Sequence, residues 1–132
     1  MVIKIFWKSI AWAVLIGILS FLPTDDLNSQ KWFNFQHQDK ILHFLFYGFF
    51  SFLLFRSISS FINKPKPAWV TYLLTFLIIL LYGLIIELIQ DRFTSSRQGD
   101  IIDMIFNLAG YFVAMVLMLL IPSLRNSPKI KE

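Results

Sequence analysis

RQGDIIDMIFNLAGYFVAMVLMLLI, residues Arg97 to Ile121, begins as a solvated turn and ends as unbroken hydrocarbon. Its apolar part, Ile101 to Ile121, is close to the roughly 20 residues that cross a bilayer as an α-helix. Yet the stretch carries Asp100, Asp103 and Asn107 across the point where water gives way to lipid. Carboxylates and an amide are costly there, so the rest of the chain has to supply their partners.

Three further apolar runs precede this one, about Ile5 to Leu22, Ile41 to Ile62 and Ala68 to Gln90. Each has spanning length, and together they predict an all-α membrane protein, a four-transmembrane-helix bundle forming one domain over residues 1–132. Composition agrees, because 57% hydrophobic residues against 15% charged ones is far from the balance of a water-soluble domain. Lys4 and Lys8 before an apolar stretch also fit a signal peptide. LSFLPTDD, however, offers no small-x-small cleavage site, and a retained first helix is expected. With no cysteine, disulfides, thiolate metal sites and cysteine nucleophiles are excluded.

The links between the runs are chemically distinct. NKPKP, Asn63 to Pro67, stops a helix and forces a hairpin, and DRFTSSRQGD, Asp91 to Asp100, is a polar turn. The longer link, Pro23 to Lys40, holds the aromatic cluster KWFNF, suited to the membrane surface. Lys4, Lys8, Arg56, Lys64, Lys66, Arg125, Lys129 and Lys131 fall on one side of such a bundle, against Lys31, Lys40, Arg92 and Arg97 on the other. By the positive-inside rule both termini and the NKPKP turn are expected to face the cytoplasm. Among the acidic residues only Glu132 shares that side. The basic residues flank the apolar runs and form no aromatic-interleaved patch, so no nucleic-acid partner is expected.

On this topology the unusual polar residues reach one membrane depth. Asp39, Lys40, His43 and Tyr47 begin the second helix, Glu87 and Gln90 end the third, and Asp100, Asp103 and Asn107 begin the fourth, with Arg97 in the turn before it. Asp39, His43 and Tyr47 repeat at i, i+4; Gly83, Glu87 and Gln90 at i, i+4, i+7; Asp100, Asp103, Asn107, Gly110 and Ala114 alternate steps of three and four. Each set is one narrow stripe, expected to turn inward, since a carboxylate against lipid costs several kcal/mol. Ser9, Ala13, Gly17 and Ser20 give the first helix a packing face without chemistry.

A purely structural reading competes with a site. Asp100 and Asp103 suit the positive end of a helix dipole, Tyr47 and Trp32 read as interfacial anchors, and Asn107 as interhelical glue. Glu87 resists that reading, because it lies about a turn inside an apolar run.

The order DKILHFLFYG, IIELIQ and SRQGDIIDMIFNLAG, after an SFLP exit from the first helix, resembles the VanZ-like family of small bacterial membrane proteins. The resemblance covers roughly residues 20 to 114. It carries the family pattern onto Asp39, Lys40, His43, Phe44, Tyr47, Glu87, Gln90, Arg97, Asp100, Asp103, Asn107 and Gly110. Ser96 stands where family members often have Pro, and Ala114 where they often have Gly. The family is named for association with resistance to the glycopeptide teicoplanin, and the resemblance implies a functional polar site without naming its chemistry.

Two functions follow as expectations. In the first, an outward-facing pocket holds an anionic envelope lipid, a lipid-linked wall precursor or a lipophilic glycopeptide through Lys40, His43, Tyr47, Glu87, Gln90, Arg97, Asp100, Asp103 and Asn107. In the alternative, a membrane-embedded hydrolase or transferase on a lipid-linked or cell-wall substrate uses His43, Glu87 and Asp103 for acid-base work, with water or a substrate hydroxyl as nucleophile. No cofactor is expected. A metal on His43, Glu87 and Asp103 is a lesser variant, because the chain has two histidines and none at ligand-pair spacing, and no metal ligand is assigned. Oligomeric state is not legible.

Overall fold

A computed structural model describes residues 2–21, 38–62, 68–93 and 100–125. It contains α1 (Val2–Phe21), α2 (Gln38–Phe61), α3 (Ala68–Phe93), α4 (Ile101–Leu120) and a single turn, α5 (Pro122–Arg125). The four long helices are each apolar and long enough to cross a membrane, and no strand occurs among the described residues. The links KWFNF and NKPKP and the turn bearing Arg97 lie outside the described residues.

Helix ends depart from the expected limits by up to three residues, for local reasons. The second helix begins at Gln38 rather than Ile41, which puts Asp39 in its first turn, where a carboxylate complements the dipole. The third runs past Gln90 to Phe93, with Arg92 in its last turn as the matching cation. The first starts at Val2 rather than Ile5 and includes Lys4 and Lys8, whose long stems keep the ammonium groups exposed. The fourth ends at Leu120, because Pro122 pushes Ile121 out of helical conformation (φ −119°, ψ 86°) and then opens α5.

Cross-helix contacts set the topology. Ser9 hydrogen-bonds Ser57 at 2.9 Å, so α1 and α2 run antiparallel. Gln90 donates to the Ser20 carbonyl and Tyr82 to the Ala13 carbonyl, so α1 and α3 run parallel. Tyr111 donates to the Tyr72 carbonyl at 2.9 Å, tying α4 antiparallel to α3. The result is an up-down-up-down bundle in which the largest interface joins the parallel pair α2 and α4.

That interface is closest at two glycines. A methyl group at Gly110 would overlap the Phe44 carbonyl oxygen and stand 2.8 Å from the Gly48 nitrogen, and one at Gly48 would stand 3.2 Å from the Gly110 oxygen. Small residues at such a crossing let two backbones touch, which is how helices associate where lipid offers no hydrophobic drive. Toward the α5 end the core is filled by Phe50, Leu54, Phe55 and Ile58 of α2 with Ile79, Met115 and Met118. Outward faces carry Leu81, Ile85, Val116, Leu119 and many similar residues in the open, a surface suited to acyl chains.

Where α2 and α4 part beyond the glycines, a furrow of about 340 Å³ opens between Phe44, Phe49 and Phe52 on one side and Val113, Ala114 and Leu117 on the other. Its lining is almost wholly apolar.

Candidate functional site

Because α2 and α4 run parallel and α3 antiparallel to them, the starts of α2 and α4 meet the end of α3. Asp100 is the N-cap of α4: its carboxylate accepts the Ile102 N–H at 2.8 Å and its carbonyl the Asp103 N–H at 3.0 Å. The Asp100 N–H in turn donates to Glu87 Oε2 at 2.9 Å. The end of α3 therefore supplies a carboxylate to the exposed N–H groups and positive dipole of α4.

Lys40, one helical turn before Phe44, reaches across to α4. Its Nζ donates to Asp100 Oδ2 at 2.9 Å and Asp103 Oδ1 at 3.0 Å, and lies 3.7 Å from Asp39. The ammonium holds the Asp100 carboxyl below the usual carboxylate range, with the Ile102 N–H adding to the effect. A charge-assisted bridge of this kind sets the register of α2 on α4. The lysine is thus committed to carboxylates instead of turned toward a ligand.

One turn deeper, His43 Nδ1 lies 3.0 Å from Asn107 Oδ1, and Nε2 faces Asp103 Oδ2 at 3.7 Å. Facing an amide oxygen, Nδ1 is the donor of the first of these contacts. Glu87 is 6% exposed, and its Oε1 has no hydrogen-bond partner among the described residues. One donor atom each from His43, Glu87 and Asp103 lies within 4.8 Å of the other two. Below them, Gly83 leaves space for Asn107 and Tyr47, since a methyl group there would stand 3.1 Å from Asn107 Nδ2 and 3.5 Å from the Tyr47 ring. Asn107 Nδ2 and the Tyr47 hydroxyl are buried and also lack partners among the described residues.

Lys40, His43, Glu87, Asp100, Asp103 and Asn107 converge, as the stripes require. Gln90 and Tyr47 have other surroundings. Gln90 is turned to α1, where it donates to the Ser20 carbonyl at 2.8 Å. Tyr47 is no surface anchor: it is 1% exposed, stacked on His43 at 6.0 Å, because it lies on the face by which α2 fills the bundle centre. Arg97 and Trp32 lie outside the described residues. Sequence reasoning missed Gly48 and the furrow that begins beside it. The only signal was a small residue inside the aromatic run FYGFF.

Among the described residues four carboxylates surround one lysine and one imidazole, so the cluster itself attracts cations and hydrogen-bond donors. In a poorly solvated setting such an arrangement is either shared with protons or completed by a ligand. The chain matches the family model described as VanZ/LLP1 over residues 2–122. Comparison with curated proteins and with solved structures finds no match.

Proposed function

From the premise that the chain belongs to the VanZ/LLP1 family of proteins, we propose that it binds an amphiphilic molecule of the bacterial cell envelope. The polar head enters the cluster at the ends of α2, α3 and α4, and the hydrocarbon tail lies in the furrow between α2 and α4. An anionic envelope lipid, a lipid-linked wall precursor and a lipophilic glycopeptide all have this build, and sequestering one of them is a route to teicoplanin-type resistance.

The observation that carries the reading is nearness along the two helices. Phe44 and Gly110 begin the furrow, and they directly follow His43 and sit one turn after Asn107. A head and tail on one molecule need such adjacency, while helix glue does not. In the cluster Glu87 Oε1 is placed to accept from a hydroxyl or amide, and Asn107 Nδ2 to donate. Lys40 is already occupied, so an anionic head relies on Arg97 for its planar, bidentate grip. The excess of Lys and Arg beside the opposite end supports an orientation with both termini in the cytoplasm of an inner membrane and the cluster facing outward.

Native mass spectrometry of the purified protein tests this reading. Wild type retains envelope lipid; Ala114→Phe, which fills the furrow, and Glu87→Gln, which alters the head site, each release it. If Ala114→Phe, Glu87→Gln and Arg97→Ala all keep the same lipids and the same antibiotic susceptibility, the reading is wrong. Orientation is separately accessible, because the cysteine-free chain allows single-cysteine labelling without background.

A second reading, hydrolysis or group transfer on the same amphiphile, is favoured by the imidazole held by Asn107 with Nε2 facing Asp103 and with Glu87 close by. It requires turnover of a lipid-linked substrate that is lost in His43→Ala.

A further inference from the structure

His43, Glu87 and Asp103 share a pattern that neither lipid binding nor helix packing requires. Each has one arm tied to a neighbour and one arm free. Asp103 Oδ1 accepts from Lys40, Glu87 Oε2 accepts from the Asp100 N–H, and His43 Nδ1 donates to Asn107 Oδ1. Left over are Asp103 Oδ2, Glu87 Oε1 and His43 Nε2, none of which takes a hydrogen bond among the described residues. Two of them face each other at 3.7 Å, beyond the reach of a direct hydrogen bond.

We propose that His43, Glu87 and Asp103 form a binding site for one divalent first-row metal ion, zinc or manganese. One imidazole and two carboxylates are the borderline-hard donors that suit these ions, and the absence of cysteine removes the soft alternative. Donors about 2.1 Å from a tetrahedral ion stand roughly 3.4 Å apart, close to the 3.7 Å between His43 Nε2 and Asp103 Oδ2. The three donor atoms lie within 4.8 Å of one another, and Glu87 Oε1, without a partner among the described residues, is the arm left to close on the ion. The tied arms are what a metal site needs around it: a carbonyl oxygen on the second imidazole nitrogen and hydrogen bonds on each carboxylate, which fix orientation and tautomer. Three protein donors leave a coordination position for an outside group. Sequence spacing gave this site little weight, because its donors come from three helices and no two share a ligand-pair interval.

An ion here supplies the positive charge that the described residues lack for holding a phosphate or carboxylate head. That consequence rests on the proposed function; the ion itself does not.

The test uses the full chain purified in detergent, stripped with chelator and exchanged into metal-free buffer without added lipid. Zn²⁺ and Mn²⁺ are titrated separately, with bound metal counted by elemental analysis after gel filtration. One equivalent per chain is expected. Glu87→Gln and Asp103→Asn are expected to weaken retention at least 100-fold, Asn107→Ala by roughly 10- to 100-fold as an outer-shell change, and exposed Asp91→Asn not at all. Should a variant fail to fold, pulsed electron paramagnetic resonance of Mn²⁺ on wild type reads the site directly, and coupling to one imidazole nitrogen is expected. Substoichiometric binding of both ions by wild type, retention unchanged in folded Glu87→Gln and Asp103→Asn, or bound Mn²⁺ without nitrogen coupling each overturns the proposal. Metal binding without lipid retention would leave this site standing and remove only the lipid reading.

Discussion

Replacing Gly110 with alanine is the sharpest perturbation of this architecture. In a free helix the change is favourable by about 1 kcal/mol, because glycine loses more backbone entropy on ordering. Here the new methyl would overlap the Phe44 carbonyl oxygen and stand 2.8 Å from the Gly48 nitrogen. An unstrained contact is roughly 3.5 Å, so α4 must retreat from α2 by about 0.7 Å to clear the nitrogen alone, and further to clear the oxygen. Both neighbours are backbone and cannot rotate aside. Overpacking of this kind costs about 1 to 3 kcal/mol, and this contact belongs at the upper end because it lies in the largest interface. Set against the propensity gain, the net loss is about 1 to 2 kcal/mol. The same retreat stretches the 3.0 Å contacts of Lys40 with Asp103 and His43 with Asn107, so ligand or metal affinity falls with stability. Gly48→Ala is the control, since its methyl meets the Gly110 oxygen at 3.2 Å and a few tenths of an ångström relieve it. Reversible unfolding in mixed detergent micelles measures both. A Gly110→Ala protein as stable as wild type, or more stable than Gly48→Ala, would show that the helix crossing has been misjudged.

Lys40→Met leaves Asp100 and Asp103 without their shared cation and is expected to destabilise by about 1 to 3 kcal/mol, between the values for exposed and buried pairs; the same unfolding assay reads it. Tyr111→Phe removes only the bond to the Tyr72 carbonyl and should cost about 0.6 kcal/mol, typical of hydrogen bonds between membrane helices. Glu87→Gln retains an oxygen for the Asp100 N–H while discarding the charge, so thermal stability should hold within about 1 kcal/mol while retained lipid and metal are lost. A parallel fall in stability and binding would instead make Glu87 structural.

The four spans were legible because hydrocarbon thickness leaves little freedom in helix length, and the inward stripes because periodicity places Asp100, Asp103 and Asn107 on one face. Convergence of Lys40, His43 and Glu87 upon them followed from topology, since an up-down bundle returns alternate helix ends to the same depth. Partner choice was not legible. Nothing in its spacing distinguishes Gln90, which bonds to α1, from Glu87, which bonds to α4; the difference depends on helix rotation, set by packing across the bundle. Tyr47 was misassigned for a related reason: tyrosine near a helix end suits the interface, and only the central position of α2 buries it. The furrow was invisible because it is made by what Gly48, Gly110 and Ala114 lack.

The hydrogen bonds between helices also bear on how this chain can vary. Trp12, Ser57, Tyr82, Gln90 and Tyr111 each donate to a main-chain carbonyl, of Phe46, Ile5, Ala13, Ser20 and Tyr72 respectively. Every residue type presents that carbonyl, so the accepting positions are free to drift while the donors are held. Correlated substitution, which reports contacts between paired side chains, should therefore be weak at these crossings and strong at Lys40 with Asp100 and Asp103, where both partners are side chains. Much of what holds the bundle together leaves its mark on only one side of each contact.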